Sequence, residues 1–138
     1  MTKVRLFQSR LIIDTIGNAA ADDLLNDFRL YKEQGILPAT FGRDTPYDFT
    51  HNRQYVQLQH IHIKQDGKQF PLRLVQFHRK SDYVLVYCPG FFDSNTYLLI
   101  TVIKHWNYQK PNEVDSTDKD PDLMARLEKI AEGFREKF

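Results

Sequence analysis

Residues 83–88 and 97–104 are apolar at successive positions, so an extended backbone there presents no polar face. Strands of that kind are stable only where other elements cover them, and both predict central strands of one sheet. Residues 89–95 join them. The rest of the chain must then supply edges and cover. Residues 3–8 alternate, with Val4 and Leu6 against Lys3 and Arg5, and predict a half-buried strand. Residues 19–34 predict a helix, capped by Asn18 and buried through Leu24, Phe28 and Tyr31, with Gly35 as its left-handed terminator. Residues 37–51, carrying Pro38, Gly42 and Pro46, predict a long loop. Residues 55–64 predict a strand that places His60 and His62 on the face of Val56 and Leu58, opposite Ile61 and Ile63. The Asp66-Gly67 pair predicts a hairpin turn, and Pro71 makes residues 70–79 an edge strand or extended connection. Residues 107–120 predict a poorly ordered acidic loop. Pro121 opens a C-terminal helix whose Leu123, Leu127, Ile130 and Phe134 face the sheet. The order β-α-β-β-β-α predicts an α+β fold: one domain over residues 1–138, a mostly antiparallel sheet of about four strands, and both helices packed on one side.

Composition narrows the function. Apolar residues make up 41% of the 138, enough for a core. No apolar run reaches membrane-span length and the N-terminus lacks a signal-peptide pattern, so a cytoplasmic protein without a membrane partner is expected. Cys88, the single cysteine, excludes an intrachain disulfide and a cysteine metal cluster, and its apolar strand makes it an inert core thiol. A net charge of +1 excludes strong binding of bare nucleic acid by charge alone. The charge is uneven, however. Residues 53–90 hold Arg53, Lys64, Lys68, Arg73, Arg79 and Lys80, and four of the five histidines lie in or just before them, whereas residues 113–122 are acidic. A surface rich in imidazole and cations and poor in carboxylate suits a polyanion better than a metal. RNA is that polyanion.

Seven short blocks in order, YKEQGILP (31–38), FGRD (41–44) with Tyr47 and Asp48, HIH (60–62), QFHR (76–79), DYVLVYCPGFFD (82–93), YLLI (97–100) and AEGFREKF (131–138), run over nearly the whole chain. Together they resemble the YafO-type toxins of bacterial type II toxin–antitoxin pairs. The resemblance implies a RelE/ParE-toxin-like fold and a ribosome-associated mRNA interferase that stops translation by cutting mRNA. It also implies a cognate antitoxin protein, and partners in mRNA and the large-subunit side of the ribosome. Such toxins commonly carry a proline and histidine segment after the last strand. Here that place reads Lys104-His105-Trp106-Asn107-Tyr108 without the proline, and whether His105 fills the role is left open.

Metal-free RNA cleavage needs a base for the 2′-hydroxyl, an acid for the leaving 5′ oxygen and cations for the phosphate. Histidine serves either proton transfer and arginine clamps phosphate oxygens. His60 and His62 are therefore the candidate base and acid, with no metal and no cofactor, and Arg79 and Arg43 the candidate phosphate ligands. Tyr47, Asp44, Asp48, Lys64, His78, Lys80 and Arg135 complete the expected substrate-binding set. Plainer readings stand beside these. A His-x-His pair on a strand is often a structural pair; zinc binding lacks an evident third ligand at usual spacing. Arg43-Asp44 can be an ion pair within the loop, and Arg135 an exposed helix cation. The whole-protein alternatives are a non-catalytic toxin on the same scaffold that binds a topoisomerase or the ribosome, and an RNA-binding domain without chemistry.

Overall fold

The computed structural model describes residues 3–48 and 50–138; Phe49, inside the expected loop 37–51, lies outside them, as do Met1 and Thr2. Five strands form one mixed sheet in the order β1-β5-β4-β3-β2. They are β1 (Arg5–Gln8), β2 (Phe41–Pro46), β3 (Gln59–Ile63), β4 (Tyr83–Pro89) and β5 (Thr96–Lys104). The expected central pair is central. β4 and β5 are antiparallel neighbours, β2, β3 and β4 continue the antiparallel run, and β1 lies parallel to β5 at one edge.

The chain travels from one sheet edge to the other between β1 and β2. Helix α1 (Arg10–Ile16) starts on Ser9, whose N–H donates to Leu99 O and whose hydroxyl bonds Ile100 O, so the helix runs beside the far half of β5. Helix α2 (Asn18–Gln34) then crosses one face and ends at Gly35, at φ 65°. Its cap is Gly17, not the expected Asn18, which is already the first helical residue.

Both helices were expected on one side, but they cover opposite faces. Phe28 of α2 packs with Ile61, Ile63, Leu85, Tyr87 and Leu99. Helix α4 (Pro121–Lys137) packs Met124, Leu127, Ala131 and Phe134 on Val84, Val86, Cys88, Leu98 and Ile100. The reason lies in β4 itself, where alternate residues enter the two clusters, so cover on one face alone leaves the other in water. Helix α4 has Pro121 in its first turn and Asp120 as cap, accepting from the N–H groups of Asp122 and Leu123.

Three further expectations change. The loop 37–51 contains β2, an edge strand that tolerates Pro46 at its end and Gly42 at a register shift against β3. The expected strand 55–64 shortens to β3, because Thr50 caps a short helix, α3 (His51–Tyr55), and Gln57 at φ 51° breaks the extended run. The Asp66-Gly67 turn forms, both residues at positive φ, but no hairpin follows. Residues 68–80 instead fold over β2, where the Phe70 N–H donates to Ala39 O and the Arg43 N–H to Arg79 O. A 3₁₀ turn, Gln76–His78, sits in that segment. Gly42 permits the approach: a Cβ there meets Arg79 O at 2.3 Å.

Candidate functional site

Alternation along β3 sends Ile61 and Ile63 toward α2 and His60 and His62 to the α4 face. Helix α4 does not reach that end of the sheet. A cleft of about 740 Å³ opens there, lined by Arg43, Thr45, Pro46, Tyr47 and Asp48 from β2 and its sequel, His60 and His62 from β3, and Lys80, Ser81 and Asp82 before β4. Its far wall is His105, Trp106, Asn107, Tyr108, Asp118 and Lys119, from the segment after β5.

His105 is what the sequence reading left open, and the structure brings it to the pair. One nitrogen from each of His60, His62 and His105 falls within 4.8 Å of the others. The placement follows from register: β3, β4 and β5 align Ile63 with Tyr83 and Tyr83 with Lys104, so the residue after Lys104 emerges beside His62. The His105 N–H donates to Asp82 O at 2.7 Å and fixes the turn.

Asp118 is the second unforeseen member. It belongs to the acidic segment expected to be poorly ordered, yet Thr117 and Asp118 are buried. A bridge of Thr117 to Lys104 draws the segment back to the sheet. The Asp118 carboxylate accepts from the Trp106 N–H at 2.8 Å and the Tyr47 hydroxyl at 3.0 Å, and lies 3.6 Å from Nε2 of His105. The Tyr47 ring stacks on His60 at 3.9 Å, nearly parallel.

The imidazoles differ in exposure. His60 and His62 are buried, whereas 34% of the His105 side chain is open. Burial, reinforced by neighbouring imidazoles, lowers both His60 and His62 to a pKa of about 4, so each is neutral at pH 7. Nδ1 of His62 meets Ser81, 2.9 Å from its N–H and 3.0 Å from its carbonyl, which turns Nε2 toward the cleft. Nδ1 of His60 is buried without a hydrogen-bond partner.

Among the expected cations the structure separates two groups. Arg43 and Lys80 line the cleft. Arg43 lays its guanidinium 4.0 Å over the Phe77 ring, and its Nε is buried with no partner. Arg79 does not reach the cleft. It is buried, and its guanidinium donates to the carbonyls of Leu74, Phe41 and Leu72, which ties residues 68–80 to β2. Arg135 is likewise elsewhere: it is buried on α4, donates to Pro89 O and faces Phe91 in a second hollow. Lys64 lies 5.3 Å from the Phe70 ring, and His78 is exposed on the 3₁₀ turn, edge-on to Phe77; neither lines the cleft. Asp48 is on its rim. Asp44 points to the opposite face, where it accepts the hydroxyls of Tyr31 and Tyr87. The plain reading of Arg43-Asp44 as an ion pair fails too, since adjacent strand residues face opposite ways. The cleft also carries more carboxylate than expected, with Asp48, Asp82 and Asp118 against Arg43, Lys80 and Lys119.

The profile of a family described as "Toxin YafO, type II toxin-antitoxin system" matches residues 29–136. The chain is 35% identical over 139 residues to the mRNA interferase toxin YafO of Escherichia coli (strain K12), covering 98% of this chain and all of that one. No solved structure matches.

Proposed function

The chain belongs to the YafO family of type II toxin–antitoxin toxins, and on that premise we propose that it is a ribosome-dependent endoribonuclease that cuts mRNA without a metal. The observation that carries the reading is three imidazoles in one cleft beside a buried carboxylate and three cationic side chains. The resemblance of fold to RelE/ParE toxins belongs to the same reading, supported by the antiparallel run β2 to β5 with α4 across it.

The roles follow from protonation and exposure. A base must be neutral before it acts, and His62 and His60 are neutral at pH 7. His62, in the tautomer whose Nδ1–H donates to Ser81 O, has its lone pair on Nε2 and takes the 2′-hydroxyl proton as that oxygen attacks phosphorus. The P–O5′ bond breaks, leaving a 2′,3′-cyclic phosphate, and the leaving oxygen receives a proton from His105. Asp118 holds His105 in place and faces the charge its imidazole carries during transfer. His60, pinned under Tyr47, forms the floor. Arg43 and Lys80 hold phosphate oxygens, and the bound phosphate favours the protonated imidazoles, drawing the base toward a working pKa. A base near pKa 4 is too weak without that help.

The family implies a cognate antitoxin that neutralises the toxin. The ribosome supplies the affinity for mRNA, because the net charge of +1 and a cleft of mixed sign give little counterion release. The test is end-mapping of mRNA by primer extension after incubation with the protein, with and without ribosomes. New ends are expected with ribosomes and few without. Growth arrest with intact messages retires the nuclease and leaves the non-catalytic toxin.

A further inference from the structure

We propose that His60, His62 and His105 form a binding site for a borderline-soft divalent cation, zinc foremost, and that the bound ion holds the toxin inactive. Zinc takes neutral imidazoles at about 2.0–2.1 Å, which puts tetrahedral donors about 3.4 Å apart. The three candidate nitrogens already fall within 4.8 Å of one another. Side-chain rotation closes the remainder, and His105, at the end of β5 with its side chain partly open, has room to move.

Three independent features fit. In the tautomer protonated at Nδ1, His62 donates to Ser81 O at 3.0 Å and keeps its lone pair on Nε2, the kind of outer partner that orients a ligating imidazole. The Asp118 carboxylate lies 3.6 Å from Nε2 of His105 and is held by Tyr47 and Trp106. A carboxylate behind a ligand histidine is the commonest such support. Nδ1 of His60 is a buried polar atom with no partner, a situation that costs about 1–3 kcal/mol unless something satisfies it. The cleft's charges do not repel a cation, since Asp48, Asp82 and Asp118 balance Arg43, Lys80 and Lys119. The sequence argued against zinc for want of a third ligand at usual spacing; the third comes from beyond β5, 43 positions after His62 by subtraction of the two residue numbers.

The inhibitory part rests on the nuclease reading: an ion on these nitrogens occupies the lone pairs that proton transfer needs. The binding part does not depend on it. Chelator-treated full-length toxin is titrated with zinc alone by calorimetry and by its thermal unfolding. One ion per chain is expected, at a Kd of about 10 µM or tighter, with a raised Tm. His105→Ala, at a partly open position, is expected to fold and to weaken uptake at least tenfold; His62→Gln keeps a hydrogen-bonding side chain and serves as the second variant. In ribosome-programmed cleavage with magnesium in excess, zinc at saturating concentration is expected to suppress cutting and the zinc-selective chelator TPEN, which spares magnesium, to restore it. Uptake absent at 100 µM zinc, or unchanged in both variants, overturns the site. Uptake with unchanged or enhanced cleavage overturns the inhibition. A toxin that binds zinc but cuts nothing once TPEN has removed it, with magnesium still in excess, upholds the site and overturns the metal-free nuclease together with the inhibitory role.

Discussion

The two faces of the sheet each gather polar groups beneath a helix-bearing side, and they treat them oppositely. On the α2 face, the Asp44 carboxylate accepts from Tyr31 at 2.7 Å and Tyr87 at 2.8 Å, and Lys32 stands 4.0 Å away. Gln76 donates to both the Tyr31 hydroxyl and Gly42 O. The Lys32 ammonium lies within 5.8 Å of four ring centres, Phe28, Tyr31, Tyr87 and Tyr97. Those bonds tie α2 and the segment 68–80 to β2 and to each other, and β4 to β2. On the α4 face, the imidazoles stand over a cleft, and the unpartnered buried side-chain atoms among the described residues, Nε of Arg43 and Nδ1 of His60, belong to cleft residues. A saturated network stabilises, whereas an unsaturated one costs stability and is retained where a ligand completes it. Asp44, half-buried, and His60, buried, are polar residues on neighbouring strands, and burial alone does not separate structural from functional.

Substitution on the two faces should break the comparison in opposite ways. The largest effect is expected from His105→Ala and His62→Ala, which should lower ribosome-dependent mRNA cleavage by about 10²–10⁴-fold. Primer extension measures that loss, and the unfolding midpoint should move little for His105→Ala. Next comes Asp44→Ala, which strands the buried Tyr87 hydroxyl and leaves that of half-buried Tyr31 with Gln76 alone, and should cost about 1–3 kcal/mol in urea unfolding, while cleavage per folded molecule holds. Arg79→Ala orphans three carbonyls and belongs with Asp44→Ala in size and sign. If either abolished cleavage in a folded protein, the division of the faces would be wrong.

Acid sharpens the contrast. The pKa of His60 and of His62 is about 4 in the folded protein and about 6.5 in an unfolded chain. A depressed folded value means the unfolded chain binds protons first. The stabilisation is therefore intact above pH 6.5 and is lost as pH falls toward 4, by on the order of 1 kcal/mol per pH unit. Urea midpoints between pH 7 and pH 4 should show that slope, and His60→Phe should flatten it. The smallest effect is expected from Tyr47→Phe. It removes one hydrogen bond to Asp118, about 1 kcal/mol, but keeps the ring on His60. A shift in the pH profile of cleavage without a change in fold would place the Tyr47 hydroxyl in the site.

How far the chain was legible follows the same line. The central strands, α2 and α4 were readable because their periodicity is local. So was the His60-His62 face, which alternation dictates. Strand β2 was not, since Pro46 and Gly42 read as loop, and only pairing with β3 makes them an edge. Arg79 looked like a phosphate ligand because its three carbonyl partners come from the folded path of residues 68–80 and from Phe41. His105 could have been found by aligning the strands in register. Asp118 could not, because nothing within its acidic segment records the return to Lys104.

The cluster spans early and late parts of the polypeptide, and that has a consequence for when the cleft is whole. His60 and His62 leave the exit tunnel long before His105, Asp118 and the helix that seals the α4 face. A half-made chain carries the floor of the cleft without its wall. The cleft is therefore complete only once the segment behind β5 has joined the sheet.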